Sequence, residues 1–464
     1  TLADMLALLR LGGSHAVPVP LAETALANLL IATAGGEAKP GPATLALGAL
    51  SLNGGRVSGT VKRVPFATVA DRFVAVVGNT VAVVAAASTK IEAKPSHAGE
   101  PYGDVTFDNA AAEFSGNSVV TADRALELAA LVRAIQMAGA ADRVLATATE
   151  YSKQRVQFGR PISTFQAIQH MLAELASCVA ATIASAEAAA RDADEAGLEK
   201  GGSFSIAAAK SQGSEFAQRI AAISHQSMGA MGFTHEHILH HYTRRLWVWR
   251  RDFGSESYWG EKIGAAYAKA VGVTAPTVRM GLYTDAARAL LGGHRAETRY
   301  VETMRNAPAR DGLDRAQYAD FKHWLPGDIL TKMDRTSMAV SLEAREPLLD
   351  YRFVEFAATL PASMRIRGGQ GKWLMKKALE PWLPKDILYR PKMGFVTPVS
   401  AWFRTALADD AAALSRSAVL AGSGWFEPKA IARLAEEHRS GRAEHGRTLW
   451  QLMMLERSLG RLFA

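Results

Sequence analysis

Several groups of side chains in this sequence have types and spacings suited to chemistry. Arg155-Val-Gln-Phe158-Gly159, with Gln166 soon after, sets a guanidinium three residues before an aromatic. Such a pair can grip a phosphate through charge-assisted hydrogen bonds and stack on a ring face. Alone, it reads as a surface arginine beside a packed aromatic. Gln226, Gly229 and Gly232 form a second group, in which the glycines let backbone approach a ligand closely. His235, Glu236, His237, His240 and His241 crowd one stretch, and His237 and His241 are spaced to share a helix face as a metal-binding pair. Gly368-Gly-Gln-Gly-Lys372 resembles a phosphate loop, but Trp373 stands where serine or threonine would hold magnesium, so the Walker reading fails. Arginines at 244, 245, 250 and 251 flank Trp247 and Trp249 as a nucleic-acid surface would. At helical spacing the two tryptophans face apart, which favours a packed helix with snorkelling arginines.

The elements that must position these residues are legible in outline. Residues 2–33 are helical in pattern, broken by Gly12-Gly13 and by Pro18 and Pro20; residues 34–42 read as a loop. From 43 to 117 short Val/Thr/Leu runs alternate with turn signals, which predicts an antiparallel β unit, with Phe73–Ser88 as strand, turn and strand around Gly78-Asn79. Long Ala-rich helices follow over Thr121–Tyr151, with Thr121 as N-cap, and over Thr164–Glu195 and Ser203–Met228, a pattern expected of an antiparallel bundle. A boundary is expected in Ala265–Arg279. Beyond it helices run to the end, punctuated by Pro326, Pro347, Pro361, Pro384, Pro391 and Pro398. The expected class is α+β, mainly α: a remnant of an N-terminal helical domain (1–42), a small antiparallel β domain (43–117), a long-helix bundle (118–270) and an all-α C-terminal module (278–464).

The 464 residues suffice for two to four domains, and 48% hydrophobic with 21% charged residues is an ordinary globular balance. The net charge of +8 is uneven: residues 1–270 hold 24 basic and 24 acidic residues, and the rest hold 29 and 21. That asymmetry fits two modules of different origin, the basic one suiting a polyphosphate substrate or a solvated surface; nucleic acid is not expected as a partner. One cysteine, Cys178, excludes an internal disulfide and points to a reducing, cytoplasmic setting. No run of 18 apolar residues is free of charges and breakers, so no membrane span is expected. Thr1 opens the chain without methionine or a signal-peptide pattern, as a fragment or a processed or trimmed form would.

On the Arg155–Gln166 stretch and on Gln226-Ser-Met-Gly229-Ala-Met-Gly232-Phe233-Thr-His-Glu236, residues 1–270 resemble the acyl-CoA dehydrogenase family. The resemblance implies FAD, with Arg155, Phe158, Gln166, Gln226, Gly229 and Gly232 as cofactor-binding positions that reach the FAD of a neighbouring subunit. It implies an acyl-CoA substrate and a homodimer or a heteromeric dehydrogenase partner. The histidine stretch matches a family pattern that binds no metal. Three departures stand out. The family's base, a glutamate about twenty residues after Gly-Phe, falls on Phe253; the alternative position on the first bundle helix falls near Ala129, with Glu127 about 200° around the helix. Asp252 is misdirected, and Glu256 is the remaining carboxylate. Ala230 stands where many relatives have glycine, and the family's N-terminal helical domain is represented by its end alone.

Lys332-Met-Asp334-Arg335, Ser341-Leu-Glu343-Ala-Arg345-x-Pro347-Leu-Leu-Asp350, Gly368–Lys372 and Arg390-Pro-Lys392-Met-Gly394-Phe395 resemble the C-terminal synthetase domain of asparagine synthetases. The resemblance implies that Lys372 sits over ATP phosphates and an adenylated carboxylate, neutralising developing charge. Glu343 and Arg345 read as a structural ion pair. The family's Ser-Gly-Gly-x-Asp-Ser phosphate cradle and its magnesium motif do not occur in the sequence, nor does a glutaminase domain. Three functions therefore stand open: a dehydrogenase-like flavoprotein, impaired or completed by a partner; an ATP-dependent amide-forming synthetase fragment; and an inactive chimera of two truncated genes.

Overall fold

The structure is a computed structural model describing residues 2–309, 311–367, 370–391 and 397–462, with residues 268–271 described by their backbone alone. The chain divides into two units, Thr1–Ile263 and Gly264–Ala464.

In the first unit the Leu/Ala stripes at the start form helices α1 (Leu2–Ser14) and α2 (Leu21–Thr33), with Pro18 and Pro20 in the break between them. The Val-rich stretch then makes two four-stranded sheets. One pairs β1 (Ala43–Ala46), β4 (Arg72–Val77), β5 (Thr80–Ala85) and β8 (Phe114–Asn117) in that order. The other pairs β2 (Ser51–Asn53), β3 (Arg56–Pro65), β7 (Tyr102–Ala111) and β6 (Lys90–Lys94). All pairs are antiparallel except β1–β4, which is parallel. The continuous apolar runs of β4 and β5 have a simple cause. Val74, Val76, Val81 and Val83 pack against helices, while Phe73, Ala82 and Val84 pack against the other sheet. A strand buried on both faces loses its alternation.

The bundle consists of α3 (Ala122–Gln154), α4 (Gln166–Ala196), α5 (Ser203–Met228), α6 (Leu239–Trp249) and α7 (Glu256–Val271). Thr121 caps α3 through its hydroxyl, which accepts from the Arg124 amide at 3.3 Å. Among the described residues α4 is the one helix that by length and composition could cross a bilayer, yet its Leu175, Val179, Ala186 and Ala189 are buried in the cores shared with α3 and α5.

Among its described residues the second unit is helical apart from a short hairpin, Ile366–Arg367 with Gln370–Gly371, and a bridge between Tyr283 and Phe426. Its core gathers Leu282, Phe403, Leu414, Ile431, Leu434, Leu449 and Leu452. Pro326, expected to punctuate helices, does not: a π-helical stretch, Asp320–Leu330, contains it and runs on into Thr331–Met338. The wider π turn tolerates the missing N–H by shifting the hydrogen-bond register.

Candidate functional site

Two of the sequence-marked groups meet at one end of the bundle. After α3 the chain makes a tight hairpin, Val156–Gln157 against Arg160–Pro161, turned by Phe158 (φ 51°) and Gly159 (φ 79°). Left-handed backbone at both turn residues is the two-residue hairpin geometry, and for an aromatic it is strained. The outcome is a Phe158 ring 88% exposed, meeting Phe165 edge-on at 6.1 Å, with the Arg160 guanidinium over Phe165 at 4.4 Å. Arg155 and Gln166 are exposed beside it, and Arg155 makes no ion pair among the described residues. At the C-terminus of α5, Gln226 and Gly229 (φ 60°) are exposed. The edge-on contact of Tyr151 with His237 at 5.9 Å ties the two loops together. Gly232 is buried: a Cβ there would meet the His225 carbonyl oxygen at 2.6 Å, so its close approach is to α5 itself. Phe233, stacked toward His225 at 5.0 Å, is exposed.

The histidines are occupied locally. His240 Nδ1 bonds the His237 carbonyl at 2.7 Å, and no group of three metal-ligating side chains forms among the described residues. Trp247 is exposed, stacking on His225 at 5.7 Å, whereas Trp249 is buried.

Phe253 lies at the other end of α6, which spans about 16 Å. It is half-buried at φ 54°, and its ring takes the Arg133 guanidinium at 5.4 Å, with Trp249 on Arg133 at 5.2 Å. Neither expected carboxylate is free. Asp252 is buried, accepts from Tyr102 Oη at 2.6 Å and pairs with Arg133 at 3.0 Å. Glu256 pairs with Arg250 at 2.7 Å; burial pushes its carboxyl up, but the hydrogen bond from its own backbone amide and the Arg250 guanidinium together hold it below the usual range. Ala129 is buried, and Glu127 bonds Arg124 and Ser203 on the other side of α3.

Around Phe253 stands a cluster the sequence reading missed. Arg133, 1% exposed, also donates to Glu23 Oε1 and Gln136 Oε1, both at 2.6 Å. Glu100 accepts from Arg245 and from Trp249 Nε1, each at 3.0 Å. Lys210, fully buried, donates to the Arg250 carbonyl at 2.9 Å, the Gly254 carbonyl at 2.8 Å and Ser214 Oγ at 3.1 Å. Three carboxylates and three basic side chains thus lie buried together. Burial pushes Glu100 up, against Arg133 and Arg245, and pushes Lys210 down to about 7. Tyr102 is raised well above its ordinary value by burial and by Asp252. Burial opposes the charge on Arg133, but Glu23 and Asp252 outweigh it and keep the guanidinium protonated. A signal was present: Arg133 and Gln136 are the polar residues in the otherwise apolar or small run 128–141.

In the second unit Lys372 is exposed at φ 58°, directly before the helix Trp373–Leu379. Glu343 and Arg345 pair at 2.8 Å, both exposed. Gly368, Gly369 and the Lys392–Phe395 motif lie outside the described residues.

A two-sheet unit followed by a long-helix bundle is the acyl-CoA dehydrogenase architecture. The ChsE4–ChsE5 complex from Mycobacterium tuberculosis superposes with a TM-score of 0.53 at 23% identity, over 57% of this chain and 80% of that one. The steroid ACAD variant Tcur3481-Tcur3483 gives 0.53 at 24% identity, over 58% and 82%. Residues 118–266 match the family described as Acyl-CoA dehydrogenase, C-terminal domain, and residues 242–460 match Asparagine synthase. Acyl-CoA dehydrogenase IpdE2 of Mycobacterium tuberculosis is 40% identical over 119 residues, 26% of this chain and 35% of that protein. A putative glutamine-hydrolysing asparagine synthetase of Mycobacterium bovis is 38% identical over 144 residues, 31% of this chain and 22% of that protein. The chain therefore joins an acyl-CoA dehydrogenase-type segment to an asparagine synthase-type segment, and it spans about a fifth of the length of the asparagine synthetases it matches.

Proposed function

We propose that residues 2–263 form a flavin-contacting subunit of an acyl-CoA dehydrogenase assembly in which a partner chain supplies the proton-accepting carboxylate. The observation that carries this reading is the fate of the base position. Phe253 there is a ring face for a buried guanidinium, and Asp252 and Glu256 are both committed to arginines. An aromatic ring cannot take an α-proton from a thioester.

The exposed end of the bundle fits FAD in chemistry. Arg155 offers to a pyrophosphate a guanidinium without an ion pair among the described residues, Phe158 offers a ring face, and Gln166 and Gln226 offer amides. When bound, FAD supplies the hydride acceptor. These side chains point outward, as groups serving a neighbour's cofactor would. A solved complex, ChsE4–ChsE5, shares the fold and makes a heteromeric arrangement reasonable.

The test is co-expression with a dehydrogenase chain that bears its base. Acyl-CoA oxidation is expected in the mixed assembly and not in this chain alone. Arg155→Ala is expected to weaken flavin retention by roughly tenfold, the weight of one charge-assisted hydrogen bond. Turnover by this chain alone, or flavin retention indifferent to Arg155→Ala, overturns the reading. A second reading, amide formation by the C-terminal unit, draws on Lys372, which is exposed and unpaired among the described residues and so open to a nucleotide phosphate.

A further inference from the structure

His225 precedes Gln226 on α5 and is 7% exposed. Its Nδ1 lies 2.5 Å from the Gly232 carbonyl oxygen, and its Nε2 lies 3.0 Å from Thr243 Oγ1 on α6. The ring stacks on Trp247 at 5.7 Å and 14°, and meets Phe233 at 5.0 Å and 32°. Trp247, one of the two tryptophans of the basic aromatic stretch, thus serves as a wall for an imidazole.

These contacts close a loop. The chain leaves α5 at Gly229, whose φ of 60° favours glycine, and turns through Gly229–Phe233 back onto the helix. Gly232 arrives so near that a Cβ on it would meet the His225 carbonyl oxygen at 2.6 Å. His225 therefore holds residue 232 twice, by close backbone contact and by a hydrogen bond from its ring. Gln226 and Gly229 lie inside the span so closed, and both are exposed. Burial lowers the His225 imidazole below the ordinary histidine value, against the Gly232 carbonyl, which favours the charged form. The ring is therefore neutral near neutral pH and carries one N–H. A carbonyl can only accept, so that N–H is on Nδ1, and Nε2 accepts from the Thr243 hydroxyl.

We propose that His225 is the positioning residue of the flavin-contacting turn: by donating from Nδ1 to the Gly232 carbonyl it fixes the loop geometry in which the Gln226 amide and the Gly229 backbone reach FAD. This role rests on the flavin-contacting reading of the first unit. His225 acts through the turn and not by touching the cofactor.

The test is FAD retention, read by absorbance after dialysis, in the full chain co-assembled with a dehydrogenase chain that bears its base. An asparagine amide nitrogen can stand where Nδ1 stands, and a glutamine amide nitrogen where Nε2 stands. His225→Gln, which reaches Thr243 and not the Gly232 carbonyl, is expected to weaken retention by roughly tenfold, the worth of one buried hydrogen bond. His225→Asn keeps the bond to Gly232, and Thr243→Val removes the Nε2 partner alone. Both are expected to stay within roughly threefold of the unaltered chain, although each lowers Tm. Histidine labelled with nitrogen-15 is expected to show His225 as the Nδ1–H tautomer near neutral pH, a readout that needs no variant. An Nε2–H tautomer overturns the proposal. So does retention that falls in step with Tm across all three variants, which reduces His225 to a packing residue. Retention that answers to Arg155→Ala and not to His225→Gln overturns it and leaves the flavin reading in place, whereas an assembly that retains no flavin overturns both.

Discussion

Arg133 is the residue around which the first unit is electrically balanced. Its guanidinium meets Glu23, Gln136 and Asp252 and lies against two rings. Removing it strands two buried carboxylates, and the surviving partners of a broken buried pair carry the full desolvation penalty. Arg133→Met is therefore expected to destabilise the first unit by about 3–5 kcal/mol in urea unfolding. Lys210 gives a pH signature. Its folded value of about 7 lies below the ordinary 10.5, so between those limits the unfolded chain binds more protons than the folded one. Stability from this group therefore rises with pH across that window, by at most about 1.4 kcal/mol per pH unit, and the cost of the buried charge is full below pH 7. Unfolding free energies measured between pH 7.5 and 9.5 should show the rise, and Lys210→Met should flatten it. That the expected base position falls on Phe253 is an expectation drawn from the motif alone. The use of Phe253 and Asp252 was not legible in the sequence, because their partners Tyr102 and Arg133 lie 150 and 119–120 residues away in sequence.

Among the elements, the crossing of α1 and α3 is set by two glycines. A Cβ on Gly139 would sit 2.1 Å from the Arg10 carbonyl oxygen, and one on Gly13 would sit 2.2 Å from that of Gln136. Both obstacles are backbone, which cannot rotate aside, so the helices must separate. Gly139→Val is expected to cost about 1–3 kcal/mol and to loosen α1, measurable as a lower Tm with faster amide exchange in residues 2–14. The sequence reading took Gly12-Gly13 as a break, whereas both lie inside α1 and serve contact. Elements with local signals were read well: Thr121 at the start of α3, and Gly78-Asn79 between β4 and β5. The parallel β1–β4 pair and the π turn through Pro326 were not, because each is fixed by packing partners distant in sequence or by backbone register that side-chain pattern does not report.

The molecule is two units of unequal substance. Of seventy-eight buried apolar residues among those described, sixty-three precede Gly264 and fifteen follow it. Burial of apolar surface is the dominant favourable term in folding, so units with separate cores and such different shares of it should not melt together. Calorimetry of the full chain is expected to show two transitions, the lower belonging to Gly264–Ala464. Arg133→Met is expected to lower the upper one alone, since its partners all lie within the first unit and independent sites do not couple. A single transition that Arg133→Met lowers as a whole would show that the fifteen buried residues of the second unit do not form a core of their own.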